Sequence, residues 1–528
     1  MKTQNAETRT TEMITIPRAE YDAKNAEIDE LKGMVTWCME RLRLLQKKQF
    51  GTSSERTKEQ LDGQLSLLFN EAEVCAAPAQ PQKTTPVAAH TRKQSGSVKD
   101  VVPDNIPVEV VEHRLSEEER KCPQCGETMQ EIGKEVRETL VFEPAKAILR
   151  QDVYFTYACE NCEKNEEADA EKEDVSTPIL KTPKEPSVIP GSFASPEAIA
   201  YIMAQKFVMY APLYRQEQEW ERQGVKLSRQ TMSNWMLRAA EDWLKPVYDV
   251  LHRRLVKYTV LHADETTLQV LQEDGKKCYM WLYRTSGDAE YHIVLYEYQS
   301  NRKAEHAEKF LEGFSGYLHA DGYQGYHKLP EAIRVVGCWA HARRKFDEAL
   351  NALPPNKREG TAAYIGLDYC NKLFAWEEQF KKLSPEERTK QRLKEEKPIL
   401  DALLAWANSV STAPKSSLGK ALHYLREQWP YLIRYLEDGR LELSNNRAER
   451  SIKPFVMGRK NWLFSNTPAG AQASAVIYSL IETAKENGLD PYRYLLWVLK
   501  QAPKLFVTDR AWAEKLTPDN APAVCQTK

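Results

Sequence analysis

The chain has 528 residues, 42% of them hydrophobic and 28% charged, and its 74 Lys and Arg residues nearly balance its 76 Asp and Glu residues. This length predicts about two to four domains, and the balanced charge excludes a uniformly basic surface as the basis of nucleic-acid binding. No apolar run reaches about 18 residues and the N-terminus lacks an apolar signal segment, so we expect a cytoplasmic protein without a membrane partner.

Residues 20–48 have the apolar spacing of an amphipathic helix. Its apolar residues follow the intervals of three and four that define heptad positions a and d: Tyr21, Ile28, Leu31, Val35, Cys38, Leu42 and Leu45. The pattern leaves two interpretations open, a dimerising coiled coil or a helix that packs on its own chain. Residues 61–105, which become rich in Ala, Pro, Gln, Lys and Thr from residue 75 onward, predict a flexible linker.

Four of the ten cysteines form two Cys-x-x-Cys pairs, Cys122 with Cys125 and Cys159 with Cys162. Without a secretion signal, such pairs indicate metal binding rather than disulfides. Each pair aims two thiolates at one point, and two pairs provide the tetrahedral four-sulfur shell that structural zinc prefers. We therefore predict one structural Zn²⁺ in a ribbon over residues 106–163. The alternative is a coincidence of reduced thiols.

An acidic linker over residues 164–194 precedes a segment, residues 195–256, that is predicted to be entirely helical. One helix covers roughly PLYRQEQEWERQG, and a second begins near Ser228, a favourable N-cap. Two helices joined by a short turn are typical of a helix-turn-helix that reads DNA, in which Arg229 would be a DNA contact. Many helical domains share this pattern without touching DNA, so both interpretations stay open.

From residue 257 the pattern changes to β-strands. Three β-rich runs, YTVLHADETTLQVL, KCYMWLYRTS and YHIVLYEY, are followed by a helix around KAEHAEKFLEGF. The segments GYLHADGY and IRVVGCWAH then give a fourth and a fifth strand. When three hairpin-linked strands, a helix and another strand form one sheet, the first and fourth strands can lie side by side. That adjacency would bring together Asp264 in the first strand and Asp321 at the end of the fourth.

Carboxylates at strand ends are costly to bury without a partner, and a divalent cation is one such partner. Magnesium takes oxygen ligands, and a pair of such ions can activate the attacking oxygen and stabilise the leaving oxygen of a phosphodiester. Glu449 is the candidate third ligand, in a helix that Ser444 or Asn445 can cap and that Pro454 is expected to end or kink. Glu265 faces the opposite side of its strand and is a weaker candidate.

Two pairs of residues near these acids give little evidence for metal binding. His262 and His319 are expected to point away from the aspartates and to pack in the interior rather than to bind metal. Cys338 and His341 form a Cys-x-x-His pair, which is weak evidence for metal binding when it stands alone.

Basic residues near the acids suit a DNA phosphate backbone. One cluster lies at the start of a predicted helix, where a solvated surface and a DNA contact are both open interpretations: Arg343, Arg344 and Lys345. A second set flanks Glu449 along the chain and consists of Arg447, Arg450, Lys453, Arg459 and Lys460.

Taken together, these segments resemble the transposases of the insertion sequence 66 family. The resemblance covers almost the whole chain, through FGTSSER, CPQCG, CENC, LYRQEQEW, LSRQTMSNW, HADET, HADGYQGYHKL, GCWAHARRKF, LSNNRAERSIKPFVMGRKNWLFSNT and DPYRYLLWVL. It implies a ribonuclease H-like core with a DDE triad that falls on Asp264, Asp321 and Glu449. The implied reaction is metal-dependent cleavage of DNA at the element's ends, followed by strand transfer into target DNA.

The resemblance also implies cofactors, partners and a location. Two Mg²⁺ or Mn²⁺ ions per catalytic site are expected, with double-stranded DNA as the partner, both as terminal inverted repeats and as target. A homo-oligomer, at least a dimer on DNA, small accessory proteins of the same element and association with the bacterial nucleoid are further expectations. Two alternatives are a catalytically inactive zinc-ribbon and helix-turn-helix DNA-binding protein, and a ribonuclease H-like nuclease without strand transfer.

The predicted fold class is α+β and multidomain. Outside the catalytic core, the chain divides into an N-terminal helix or coiled coil (1–60), a linker (61–105), the zinc ribbon (106–163), a second linker (164–194) and the helical segment (195–256). The ribonuclease H-like mixed α/β core is expected in two parts, 257–345 and 441–490, separated by a helical insertion (346–440) and followed by a C-terminal helical tail (491–528).

Overall fold

A computed structural model of the chain describes parts of the segment 17–39, residues 147–153, 156–158 and 179–181, and residues 184–273 and 277–527. The four cysteines of the predicted zinc ribbon and the linker over 61–105 lie outside these residues. No helix in the described part of the chain is long and apolar enough to cross a membrane.

The described residues between 18 and 39 are helical, and the apolar residues of the predicted heptad are solvent-exposed. Tyr21, Ile28, Leu31 and Val35 expose 45–57% of their surface. The last two heptad positions, Leu42 and Leu45, lie outside the described residues. Further along the chain, two short antiparallel strands pair with each other, β1 (Thr156–Ala158) and β2 (Ile179–Lys181).

Four helices follow: α1 (Pro196–Phe207), α2 (Leu213–Arg222), α3 (Arg229–Ala239) and α4 (Lys245–Leu255). The predicted cap of α3 is confirmed, because the Ser228 side chain accepts a hydrogen bond from the Thr231 backbone N–H at 3.1 Å. A π-helical turn, Ala240–Leu244, joins α3 to α4. Side chains such as Phe207, Met236 and Leu251 are buried in the same core as the central sheet, so these helices pack as part of it.

The central sheet has five strands: β3 (Val260–Gln269), β4 (Lys277–Thr285), β5 (Val294–Gln299), β6 (Gly316–His319) and β7 (Ile333–Val336). Their order in space is β5-β4-β3-β6-β7. The three hairpin-linked strands β3, β4 and β5 are antiparallel, whereas β6 is parallel to both β3 and β7. The predicted adjacency of the first and fourth strands is therefore confirmed.

Helix α5 (Ala304–Phe310) connects β5 to β6, and α6 (Trp339–Asn351) begins just after β7. The next segment is helical, with α7 (Ala362–Phe380), α8 (Pro385–Gln391), α9 (Lys397–Ser409) and α10 (Ser417–Leu432). A second hydrophobic core unites α7, α9 and α10 with α6 through side chains such as Trp339, Phe346, Leu403 and Leu425. The same core contains Val260 of β3 and Val336 of β7, so the helical block packs directly against the sheet.

The chain then returns to the sheet through α11 (Asn446–Trp462), α12 (Pro468–Glu486) and α13 (Pro491–Thr508). Helix α12 covers the edge strand β5, where the hydroxyls of Ser479 and Thr483 accept hydrogen bonds from Tyr296 and Val294 backbone N–H groups. Those bonds satisfy strand donors that would otherwise be unpaired at the edge of the sheet.

Pro454 was expected to end or kink its helix, and the first of these alternatives is wrong. Helix α11 continues from Asn446 to Trp462, eight residues beyond the proline. A proline inside a helix removes one backbone hydrogen bond, but packing of the helix can compensate for that loss. Here Ile452, Phe455 and Gly458 are buried on both sides of the proline, so tertiary contacts hold the helix together.

Arg392 ties the helical block to the segment that leads into α11. It lies in a π-helical turn after α8 and is fully buried. Its guanidinium donates to the Glu377 carboxylate at 2.6 and 2.7 Å, and to the backbone carbonyls of Tyr435, Asp438 and Leu441 at 2.8–3.1 Å. One side chain thus fixes the chain just before the helix that bears Glu449.

We predict that Arg392→Leu lowers the free energy of unfolding by about 3–5 kcal/mol, because it leaves the Glu377 carboxylate without its cation and removes three buried hydrogen bonds to backbone carbonyls. Chemical denaturation followed by circular dichroism measures the loss. The matched control is Lys394→Leu in the same turn, whose side chain is 72% exposed and should contribute about 0–1 kcal/mol. Equal losses in the two variants would contradict the anchoring role of Arg392.

Candidate active site

Asp264 lies in the middle of β3, and Asp321 follows the adjacent parallel strand β6 by two residues. In the parallel pairing of β3 with β6, His262 lies opposite His319, and each aspartate follows its histidine by two residues. Asp264 Oδ1 accepts the Glu265 backbone N–H at 2.9 Å, and Asp321 Oδ1 accepts the Tyr323 backbone N–H at 2.9 Å. The topology thus brings together two carboxylates that are 57 residues apart in the sequence.

The electrostatics of Asp264 indicate how tightly the acids cluster. Burial raises the pKa of Asp264 well above its usual value, and the neighbouring carboxylates of Glu265, Asp321 and Glu449 raise it further. The carboxylates of Glu265, Asp321 and Glu449 therefore lie close enough to Asp264 to disfavour its ionised form.

Glu449 lies in the first turn of α11, and the residue before that helix fixes its position. Asn445, which is buried, donates from Nδ2 to the Ala263 carbonyl at 2.8 Å, and its Oδ1 lies 3.0 Å from His262 Nδ1. Asn445 is the N-cap residue of α11, one of the two predicted positions, but its side chain makes no cap hydrogen bond. Its amide instead binds the start of α11 to β3, directly beside Asp264.

The interpretation of His262 and His319 as packing residues is confirmed, but their predicted direction is wrong. Both are fully buried, and their rings stack at 4.4 Å. Burial lowers the pKa of His262 to about 3, so the pair is uncharged. Residues two apart in a strand share a face, so His262 lies on the same face of β3 as Asp264.

Glu265, the weaker candidate ligand in the sequence analysis, has a structural role that the sequence did not predict. Its side chain is only 1% exposed, and it accepts hydrogen bonds from Arg302 Nε at 2.7 Å and from the Tyr326 hydroxyl at 2.6 Å. The Arg302 guanidinium also lies 3.9 Å from the ring centre of Tyr323, whose backbone N–H binds Asp321. Arg302 therefore offsets the charge of Glu265 next to the two aspartates.

The predicted basic cluster on α6 has mixed surroundings. Arg344 Nη2 lies 3.6 Å from Glu449 Oε2, and His341 Nδ1 lies 3.7 Å from Glu449 Oε1. Arg343 donates to Asn371 at 2.7 Å, and the Lys345 ammonium lies 4.8 Å from the ring centre of Tyr424. Of the three predicted DNA contacts, Arg344 is the one that faces the acidic cluster.

The basic residues of α11 are also unequal. Arg447 is paired with Glu442 at 2.7 Å, and burial lowers the pKa of Arg450 from its usual value. Arg459 donates to Thr266 and Thr267 at 3.2 Å, whereas Lys453 and Lys460 are exposed. Helix α11 therefore presents exposed positive charge beyond the acidic cluster, toward its C-terminal half.

Arg229, the DNA contact proposed for the helix-turn-helix, lies at the first position of α3. Its side chain is 63% exposed, and its guanidinium lies 5.6 Å from the ring centre of Tyr214 on α2. Its backbone N–H donates to Glu217 at 2.9 Å, so contacts between α2 and α3 hold the turn that connects them.

The oxygen-rich donor set of Asp264, Asp321 and Glu449 fits a hard divalent cation. Among the described residues, the group whose donor atoms lie within 4.8 Å of one another joins Glu449 to Cys338 and His341 rather than to the two aspartates, so an ion shared by the three acids would require the Glu449 side chain to turn toward them. A cation bound by these carboxylates would also relieve the repulsion that raises the pKa of Asp264.

These features define a mixed α/β protein with an acidic cluster where two parallel strands end. The sequence matches the family described as Transposase IS66 family over residues 191–473, more than half of the chain. It also matches Transposase C of IS166 homeodomain (37–111), the zinc-finger binding domain of transposase IS66 (119–163) and the IS66 C-terminal element (479–513). The chain belongs to the IS66 transposase family.

Similar proteins include two from Sinorhizobium fredii (strain NBRC 101917 / NGR234). The uncharacterized protein y4hP is 31% identical over 478 residues, covering 85% of this chain and 82% of the relative. The uncharacterized protein y4jD is 30% identical over 452 residues, covering 79% of this chain and 83% of the relative. The zinc-finger match includes Cys122, Cys125, Cys159 and Cys162, which supports a structural zinc.

We predict that Asp264→Asn stabilises the protein when magnesium is absent. Because the pKa of Asp264 is raised in the folded state, its ionised form destabilises folding, and this loss develops as pH rises through the raised pKa. The neutral amide removes the repulsion and should raise the melting temperature by roughly 2–4 °C, the shift that about 1 kcal/mol gives in a mid-sized domain. Calorimetry at neutral pH in magnesium-free buffer that retains zinc measures this change.

The control for this prediction is Asp401→Asn, which removes a 61%-exposed carboxylate paired with Lys397 on α9. It should shift the melting temperature by no more than about 1 °C, because exposed ion pairs contribute little. The advantage of Asp264→Asn should disappear at acidic pH, where Asp264 is protonated in the wild type. A lower melting temperature for Asp264→Asn than for the wild type at neutral pH would disprove the repulsion argument.

Proposed function

We propose that this protein is a DNA transposase that cleaves the ends of its element and joins them to target DNA at a site formed by Asp264, Asp321 and Glu449. The observation that carries the proposal is the convergence of these acids. Asp264 lies on β3, Asp321 follows the parallel neighbour β6 by two residues, and Glu449 lies on a helix that Asn445 binds to β3. Membership of the IS66 transposase family supports a DNA-processing enzyme with DNA as its partner.

The topology of the sheet supports a ribonuclease H-like core. Three antiparallel strands, followed by a helix and two parallel strands, give the order β5-β4-β3-β6-β7, with Asp264 in the middle of β3 and Asp321 just after β6. On this proposal, residues 257–345 and 441–490 form the core, and the helical block over 346–440 is an insertion between β7 and the helix bearing Glu449.

The three carboxylates would hold two Mg²⁺ or Mn²⁺ ions, which when bound activate the attacking oxygen and stabilise the leaving oxygen. The chain's own residues keep the carboxylates in place. Asn445 fixes the start of α11, Arg344 contacts Glu449 Oε2, and Arg302 offsets the charge of Glu265. These contacts hold the site in shape against the mutual repulsion of its acids.

DNA would approach along the basic surface of α11 and α6. The exposed Lys453 and Lys460 suit phosphate contacts, as does Arg459 near the end of β3. The turn between α2 and α3, with exposed Arg229, is a candidate second contact with DNA.

The exposed apolar residues of the N-terminal helix suit a coiled coil in a dimer, the state expected for handling two DNA ends. Small accessory proteins of the element are further proposed partners.

We predict that Asp264→Asn, Asp321→Asn and Glu449→Gln each lower cleavage of element-end DNA by at least about a hundred-fold, because each removes a charged metal ligand. DNA affinity should change little, since the phosphate contacts remain. A nicking assay with Mg²⁺ or Mn²⁺ measures cleavage, and fluorescence anisotropy measures binding. Strand transfer with paired, pre-cleaved ends separates a transposase from a nuclease that only cuts.

The matched control is Glu305→Gln, which neutralises an exposed carboxylate on α5 and should leave both cleavage and binding unchanged. Normal cleavage by any one of the three acid variants would refute the role of that residue. Absence of cleavage in the wild type, with DNA binding intact, would favour a DNA-binding protein over an enzyme.

For the zinc ribbon, we predict that Cys122→Ser lowers the zinc content by one ion per chain and unfolds the segment 106–162. Four thiolates are needed to close the tetrahedral shell, and a small module of this kind depends on its metal for folding. Metal analysis and limited proteolysis measure the two effects. Cys278→Ser, which changes a buried cysteine on β4, is the control and should keep the zinc. An unchanged zinc content in Cys122→Ser would disprove the ribbon.

A further inference from the structure

Three potential metal ligands of different chemistry meet on the side of Glu449 that faces α6. Cys338 precedes the first residue of α6, and His341 lies one turn further along that helix. A sulfur of Cys338, a ring nitrogen of His341 and a carboxylate oxygen of Glu449 all lie within 4.8 Å of one another. The Cys-x-x-His spacing, weak evidence by itself, thus gains a third ligand from a helix about 110 residues away in the sequence.

Two of the three donor atoms have unmet bonding capacity. His341 Nδ1 and Glu449 Oε1 are both buried, and neither has a hydrogen-bond partner among the described residues. They lie 3.7 Å apart, which is too long for a hydrogen bond. Two ligands of one tetrahedral zinc, each at about 2.0 Å from the ion, lie roughly 3.3 Å apart. The observed separation therefore suits a shared ion better than a direct bond.

The surroundings of the sulfur and of the carboxylate are those of metal ligands. The Asn445 backbone N–H donates to Cys338 Sγ at 3.2 Å, the kind of bond that a coordinated thiolate accepts from its second shell. Arg344 lies against Glu449 Oε2, which leaves Oε1 directed toward His341. The two oxygens of one carboxylate thus have separate partners.

We propose that Cys338, His341 and Glu449 form a binding site for a thiophilic divalent ion of the Zn²⁺ class, with a fourth position open to water. Thiolate and imidazole select such ions over magnesium, which prefers oxygen ligands alone. The site is distinct from the predicted Cys₄ ribbon and stands on the geometry of α6 and α11. One consequence rests on the proposed function: a bound zinc would hold Glu449 against α6 and compete with its use by the two aspartates.

The test is the zinc content of the full-length protein after equilibration at a buffered, micromolar concentration of free Zn²⁺. We expect Cys338→Ser and His341→Gln each to contain one zinc fewer per chain than the wild type. The control is Cys370→Ser, which alters another fully buried cysteine, on α7, and should retain the full content. Because the readout is a difference, it does not depend on how many ions the ribbon holds.

Cobalt provides a second readout of the same site. Co²⁺ added to protein from which the zinc has been removed should give a thiolate-to-cobalt charge-transfer absorption that is weaker in Cys338→Ser and at full strength in Cys370→Ser, since the thiolates of the ribbon contribute equally to both. His341 is partly exposed, so His341→Gln tests the site even if Cys338→Ser fails to fold. An unchanged zinc content in a folded His341→Gln variant would overturn the proposal. Neither measurement uses DNA, so loss of the proposed transposase activity would leave this result intact.

Discussion

The pairing of β3 with β6 imposes the constraint on which the rest of the site depends. It brings Asp321, just after β6, close to Asp264 in the middle of β3, where burial and the carboxylates of Glu265, Asp321 and Glu449 raise the pKa of Asp264. Carboxylates that are partly buried together destabilise the folded state unless cations offset them. Arg302 and Arg344 supply two positive charges at the margins, which leaves the centre of the cluster acidic and suited to a divalent ion.

Rigid contacts around the cluster oppose this repulsion. The His262 and His319 rings, each two residues before an aspartate, stack in the interior. They add no charge there, because burial lowers the pKa of both. Asn445 binds both His262 and the Ala263 carbonyl, so the start of α11 cannot move away from β3 without leaving buried polar groups unpaired. Packing and hydrogen bonds thus hold the carboxylates near one another against their mutual repulsion.

The strands and the cap at Ser228 could be predicted from local patterns, because they depend on residues close in the sequence. The adjacency of β3 and β6 could be predicted from the order of the elements, because hairpin-linked strands followed by a helix and a further strand allow few topologies. The course of α11 beyond Pro454 and the pairing of Arg302 with Glu265 could not be predicted this way. Both depend on which distant side chains pack there. The direction of the His262 side chain could have been predicted from the sequence. His262 and Asp264 are two residues apart in one strand, and alternation places such residues on the same face.

Glu449 connects two sets of ligands with opposite preferences. Toward β3 it meets oxygen ligands, which suit hard ions, and toward α6 it meets a sulfur and an imidazole nitrogen, which suit soft ones. Because Asn445 fixes the start of α11, a change between the two sets requires rotation of the Glu449 side chain rather than movement of the helix. A side-chain rotation is fast and costs little conformational energy. On the two proposals, the identity of the available metal would therefore decide which set Glu449 joins.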